Sequence, residues 1–163
     1  MKVINFKIPL VPKPQMRVRH FAKQAKSGKQ FSGTYKATEQ QDYENMFMPL
    51  LAKHKPDKPL SGAIELAVIA LLPIPQSKPL WWRKALFHKK VFHTCRPDID
   101  NLLKNLLDCM EKVGYFNNDS QICSIYFRKV YNDEPCWLIT LKETQMPKTK
   151  KEYFGNEDKQ NRR

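Results

Sequence analysis

The stretch that most limits what this chain can fold into runs from Gly62 to Leu72, Gly-Ala-Ile-Glu-Leu-Ala-Val-Ile-Ala-Leu-Leu. It is too continuously apolar for a sheet edge, and Pro73 and Pro75 end it. It reads as a central strand buried on both faces. Candidate neighbours are at hand. Residues 2–9 alternate as a first strand, ending at Pro9. Residues 121–131 and 136–142 read as two further strands, joined by the hairpin-type turn Asn132-Asp133-Glu134-Pro135. Trp137, Ile139 and Leu141 share one face of the last of these, at the two-residue spacing of a half-buried strand.

Two segments have helical spacing. Residues 36–53 carry Tyr43, Met46, Phe47 and Leu50 as an apolar stripe. Thr38 is placed as N-cap with Gln41 three residues on, and Pro49 should kink or end the helix. The second segment follows Arg96-Pro97-Asp98. Numbered at 100° per residue from Ile99, the residues Leu102, Leu103, Leu106, Leu107, Met110 and Val113 fall on one side. Asp100, Asn101, Lys104, Asn105, Asp108 and Glu111 fall on the other, and Gly114 is a natural stop. The fold class predicted is α/β (α+β): one compact domain over residues 1–146, with a mixed β-sheet of about four strands packed by helices. Residues 147–163, basic and poor in apolar side chains, read as a flexible tail.

Charge then narrows the partners. The chain holds 29 Lys and Arg against 16 Asp and Glu, a formal charge of +13, which favours a polyanion and nucleic acid first. No apolar run reaches the roughly 18 residues of a membrane span, so no membrane role is expected. The four cysteines, Cys95, Cys109, Cys123 and Cys136, form no C-x₂-C pair, which argues against zinc, and they read as reduced and mostly buried. Residues 9–33 hold three early prolines and the basic residues Lys13, Arg17, Arg19, Lys23, Lys26 and Lys29. They read as a long cationic loop, either solvated or gripping phosphates together with Arg96. Trp81 and Trp82 open a basic aromatic stretch; one of them reads as core and the other as exposed, with base stacking open to it. His88 and His93 read as surface residues or phosphate contacts.

Against that background Asp98 and Asp100 stand out. Helix capping accounts for one aspartate, contributing roughly 0.5–2 kcal/mol. Carboxylates beside a phosphodiester repel it unless a cation lies between them, and Mg²⁺ takes one or two carboxylates together with water and phosphate oxygens. Lys104, one turn from Asp100, is placed to hold a phosphate. Asp108 reads as an i, i+4 partner of Lys104, or as a supporting or dimer-contact residue.

The segment Arg96-Pro97-Asp98-Ile99-Asp100-Asn101-Leu102-Leu103-Lys104, followed by Leu107-Asp108 and Asp119-Ser120-Gln121-Ile122, resembles the RusA family of Holliday junction resolvases. Pro12-Lys13-Pro14 and Arg17-Val18-Arg19 are similar to that family's loop after the first strand. The likeness spans roughly residues 3–142. It implies catalytic, metal-holding aspartates at Asp98, Asp100 and Asp119, with Lys104 as an essential helper. It implies Mg²⁺, with Mn²⁺ as the substitute ion and no small-molecule cofactor. It further implies a homodimer nicking two opposed strands of branched DNA, in the cytoplasm of a bacterial or phage-infected cell. Asn118 departs from the pattern, since members often carry a second acid there. Two other readings use the same surface: a nuclease preferring flaps or forks, and a non-catalytic architectural DNA-binding protein.

Chain geometry adds a constraint. From Asp100 to Val113 a helix climbs about 20 Å. An extended chain from Gly114 to Asp119 covers at most about 17 Å. Either the helix ends early or a partner chain supplies Asp119.

Overall fold

The computed structural model describes residues 2–17, 19–24, 30–147 and 152. The proposed tail lies outside the described residues, Pro147 and Glu152 apart, as do Lys26 and Lys29 of the basic segment. Four strands build one mixed sheet: β1 (Lys2–Ile8), β4 (Ala63–Pro73), β5 (Ile122–Asn132) and β6 (Cys136–Thr144), in the order β1-β6-β4-β5. Strands β2 (Arg19–Gln24) and β3 (Gln30–Tyr35) form a separate antiparallel hairpin, so the basic segment is not wholly loop. Its charge and its Ser-Gly pairs mask the backbone pairing.

The apolar run does take an interior position, but it is covered fully on one face only. Ile64, Leu66, Val68, Ala70 and Leu72 are buried, whereas Ala63, Ala67, Ile69 and Leu71 on the other face are half-buried. On that second face Ile69, Leu71 and Val130 line a cavity with Leu86 and Phe87 of α2 (Leu80–Phe87) and with Phe92, while Trp82 packs edge-on against Tyr131 and Trp81 is exposed. The expected β5–β6 hairpin does not form. Strand β4 lies between the two, parallel to β5 and antiparallel to β6. Their short connection crosses the end of β4, where Pro73 is level with Asn132 and Leu71 with Cys136. The most apolar strand thus takes the place with two neighbours.

The helices α1 (Thr38–Ala52) and α3 (Ile99–Val113) cover the fully buried face. Ala37, not Thr38, is the N-cap of α1. The helix continues past Pro49 because Leu51 is fully buried and its carbonyl accepts the Tyr115 hydroxyl at 2.8 Å. On α3, Leu102, Leu106 and Met110 are fully buried, each contributing about 1.5–3 kcal/mol. Gly114, at φ 91°, closes the helix as expected. The buried arc of α3 is nevertheless rotated from the leucine stripe. Asn105 and Cys109 are fully buried against the α1 side, while Leu103 and Leu107 are only half-buried. Asn105 therefore does not belong to a solvated face. It receives Gln40 Nε2 at 2.9 Å and donates to the Lys13 carbonyl at 2.9 Å. Two cysteines are buried (Cys109, Cys136) and two exposed (Cys95, Cys123), all four free.

Candidate active site at the entrance of helix α3

Asp98 occupies the N-cap position of α3, its backbone carbonyl accepting Leu102 N–H at 3.1 Å. Its carboxylate makes no capping hydrogen bond. The capping account of this residue thus covers its backbone and not its charge. Asp100 lies in the first turn, exposed, with the Asn101 amide 3.3 Å from Oδ1. Pro97 precedes the N-cap rather than opening the helix.

Three anchors hold this entrance. Lys129 reaches from β5 to donate to the Cys95 and Pro97 carbonyls at 2.7 and 2.8 Å. Its inward register, alongside Phe127, was the available sequence sign: a lysine on the sheet face that otherwise faces the core. The proline-rich segment after β1 lies across α3. Gln15 N–H donates to the Asn101 carbonyl at 2.8 Å, and Asn105 holds the Lys13 carbonyl. The third anchor is Tyr43. Its hydroxyl, pushed up to about 12 by burial, receives Trp137 Nε1 at 3.1 Å and donates to the Val11 carbonyl at 3.0 Å. The basic segment before β2 is therefore docked, not free.

Docking creates two adjoining clefts. One, of about 580 Å³, is lined by Pro14, Gln15, Arg17, Arg96, Pro97, Asp98 and Asn101. The other, of about 480 Å³, is lined by Gln15, Met16, Arg17, His20, Asn101 and Lys104. Lys13 lies above the Tyr43 ring, 5.6 Å from its centroid. Arg19 and Lys23 have their backbone in β2, but their side chains lie outside the described residues. Sequence reasoning did not single out Gln15 or His20. Among the described residues Gln15 Oε1 is the buried side-chain acceptor without a hydrogen-bond partner. A desolvated amide oxygen costs about 1–3 kcal/mol when unmet. The Asp98 and Asp100 carboxylates, the latter bonded only by the Asn101 amide among the described residues, and an unmet amide oxygen are hard-oxygen donors of the kind Mg²⁺ takes.

The other residues singled out in the sequence fall elsewhere. Lys104 and Asp108 form no ion pair among the described residues, so Lys104 remains available to its cleft. His93 is buried against the Tyr131 ring at 4.3 Å, not a surface residue. Burial and nearby Lys129 hold its imidazole below the usual value. Asp119 sits at the far end of α3. Its turn is pinned: Asn118 Oδ1 accepts Ser120 N–H at 2.9 Å, and Gln121 Nε2 donates to the Leu60 carbonyl at 2.8 Å. Helix α3 does not end early, and its 15 residues rise about 22 Å. From Ile122 to Lys129 along β5 is about 23 Å. No cluster of three or more His, Cys, Asp or Glu residues forms among the described residues. One chain thus places Asp98 and Asp100 at the entrance of α3, with Arg17 and Arg96 lining the cleft of Asp98 and Lys104 lining the adjoining one, and leaves Asp119 roughly 20 Å away.

A mixed α+β sheet, an acidic helix entrance and a docked basic arm define a class of protein built to bring carboxylates and cationic side chains to one cleft. The family follows from comparison. The profile of endodeoxyribonuclease RusA matches residues 8–142, and the chain belongs to that family. The crossover junction endodeoxyribonuclease RusA of Lactococcus phage r1t is 40% identical over 86 residues, covering 52% of this chain and 58% of the relative. The chain thus aligns with little more than half of that protein. The uncharacterized protein YqaN of Bacillus subtilis (strain 168) is 27% identical over 104 residues, covering 62% of this chain and 72% of the relative.

Proposed function

We propose that the chain is a divalent-metal-dependent endodeoxyribonuclease of branched DNA, with the four-way junction as its substrate and a homodimer as its working form. The observation that carries this reading is Asp98: an N-cap aspartate whose carboxylate does no capping and lines a cleft with Arg17 and Arg96. Family membership and the name of the phage relative support the substrate class. Asp98 and Asp100 would hold Mg²⁺, with Mn²⁺ as substitute. When bound, the ion supplies a Lewis acid and orients the attacking water.

The chain's own residues do the rest. Arg17, Arg96 and Lys104 bind phosphate oxygens beside the scissile bond, and their fixed charge stabilises the charge that develops there. Lys13, Arg19 and Lys23 serve as further phosphate contacts. Asp119 enters from the partner subunit. The separation of about 20 Å along α3 supports this, since one chain cannot close it. Paired nicking of opposed strands suits two sites related by a two-fold.

The test is a panel of four-way junctions, flaps, forks and duplexes incubated with and without Mg²⁺. Paired cuts in the junction that require Mg²⁺ are expected. An intact junction overturns the reading, and faster cutting of flaps or forks reassigns the substrate. Mixing Asp98→Asn with Asp119→Asn subunits tests the shared site. Heterodimers should recover one working centre and nick a single strand; inactive heterodimers exclude sharing.

A further inference from the structure

We infer that the cavity between α2 and the second face of the sheet binds an unpaired nucleobase of the DNA strand that passes the acidic cleft. This rests on the reading of the chain as a nuclease of branched DNA, in which bases leave the stack beside the branch.

Helix α2 is built unlike the other two. Helices α1 and α3 each bury several side chains, whereas no residue of α2 is buried. Phe87 at its end is 73% exposed, and Phe92 beyond it is 66% exposed. Leu71 and Val130 on the sheet are half-buried and could receive those rings. Instead the four side chains line an open cavity of about 530 Å³. That size lies within the roughly 300–1,000 Å³ of ligand sites.

The turn that closes α2 carries a second indication. Lys89 N–H donates to the Leu86 carbonyl at 2.9 Å, and Lys90 N–H to the Ala85 carbonyl at 3.0 Å. These are the paired bonds of a Schellman stop, with Lys89 in the left-handed position at φ 56°. Helix α3 ends on the same pair of bonds, from Gly114 to Glu111 and from Tyr115 to Met110, and there the left-handed residue is glycine. A side chain in that conformation is strained. The stop alone has no use for one, yet Lys89 lines the cavity. Strain of this kind gathers where a side chain meets a ligand.

Charge identifies the ligand. Residues 76–93 carry Lys78, Arg83, Lys84, Lys89 and Lys90 and no Asp or Glu. Among the described residues none of these five forms an ion pair. Arg128 adds a further cation to the cavity wall, and Asp133 is the one acid there among the described residues. An apolar peptide would fill the cavity and leave these cations without counter-charge. A nucleotide satisfies both, its base stacking on the rings and its phosphates meeting the cations.

The cavity is also continuous with the acidic cleft. It shares His93 and Tyr131 with a smaller cavity of about 260 Å³, which shares Pro14, Arg96 and Pro97 with the cleft of Asp98. From Phe92 to Asp98 the chain covers at most about 20 Å. At ~3.4 Å per stacked nucleotide, a strand with a phosphate at Asp98 reaches the cavity within about six nucleotides.

The test measures binding of oligo(dT), of a duplex of equal length and of a four-way junction to the full chain without metal. Phe92→Ala should weaken oligo(dT) binding roughly 5- to 150-fold, the range of one lost stack, and leave duplex binding within about twofold. Lys89→Gly relieves the turn while deleting the ammonium. Its urea midpoint should rise, yet the salt slope for oligo(dT) should fall by about 0.7. Abasic sites placed in turn beside the junction's branch point should reveal one position where wild type weakens and Phe92→Ala does not. Unchanged oligo(dT) binding by Phe92→Ala overturns the site, and an unchanged slope for Lys89→Gly removes that lysine from it. Altered sedimentation of Phe92→Ala with unchanged DNA binding assigns the patch to a second copy of the chain and overturns the inference as well. Cleavage separates this from the reading it rests on. Junctions cut by wild type, with oligo(dT) bound normally by Phe92→Ala, keep the nuclease and remove the base site. Junctions left intact by wild type, with oligo(dT) binding lost in Phe92→Ala, keep the base site and remove the nuclease.

Discussion

The two ends of α3 hold carboxylates in opposite ways. At the entrance, Asp98 lines a cleft with Arg17 and Arg96, Lys104 lines the adjoining cleft with Arg17, and Asp100 stands exposed in the first turn, beside a segment docked by Asn105, Gln15 and Tyr43. At the exit, Asp119 stands exposed on a tightly pinned turn with no cationic side chain bonded to it among the described residues. In the proposed shared site, the exit of one subunit would supply the carboxylate that the entrance of the other lacks.

Removing either end should have the largest effect. Asp100→Asn and Asp119→Asn are each expected to lower junction cleavage by at least roughly 10²–10³. Their binding should diverge. Asp100→Asn removes a negative charge from the phosphate cleft, so junction binding should hold or tighten in a gel-shift assay. Weaker binding for Asp100→Asn would remove the entrance from the DNA path.

The cationic wall comes next. Lys104→Ala should cost about 10² in single-turnover cleavage. Arg17→Ala should weaken binding across all substrates and reduce the salt slope of log K by about one. If the slope is unchanged, Arg17 does not contact phosphate.

Positioning effects are smaller. Asn105→Ala removes one of the two acceptors of Gln40 Nε2 and the donor to the Lys13 carbonyl inside the α1–α3 contact. A loss of about 1–3 kcal/mol in urea unfolding is expected. Cleavage should fall with it because the docked segment loosens. A variant of normal stability and activity would mean that the segment is held without Asn105.

How much of this could be read from residues divides along the same line. The entrance motif, the helix span and its glycine stop were legible because capping, helical spacing and acid placement are local. The central position of residues 62–72 was legible from hydrophobicity alone. The order of β5 and β6 was not, since a short turn between two strands suggests a hairpin and only the competition for β4 decides otherwise. Asn105 was misplaced because a helical wheel shows one apolar direction and cannot show a second helix packing off-axis. Lys129, Gln15 and the Tyr43 hydroxyl act on the site across long sequence separations that no local pattern carries. The chain-length argument for Asp119 posed two outcomes, and the structure excludes one of them, an early end to α3.

The smallest expected effect tests whether the entrance depends on its own scaffold. Glu44, on α1, accepts Lys36 at 2.7 Å, Gln40 at 2.8 Å and Lys112 at 2.8 Å, the last from the far end of α3. Burial works to raise its pKa, but the hydrogen bonds from Lys112, Lys36 and Gln40 outweigh it and hold the carboxyl down at about 2, from an ordinary 4.5. A depressed carboxylate stabilises the fold fully above its unfolded value and loses that contribution as pH falls towards its folded one. The melting temperature should therefore decline between about pH 5 and pH 2, with part of that decline belonging to Glu44. Glu44→Gln should start lower at pH 7 and fall less steeply over that interval. Because Gln40 binds both Glu44 and Asn105, the substitution should also loosen the docked segment, lowering cleavage at neutral pH while leaving the pinned turn at Asp119 unchanged. Parallel melting curves for the two proteins would show that the α1–α3 contact holds without this charge.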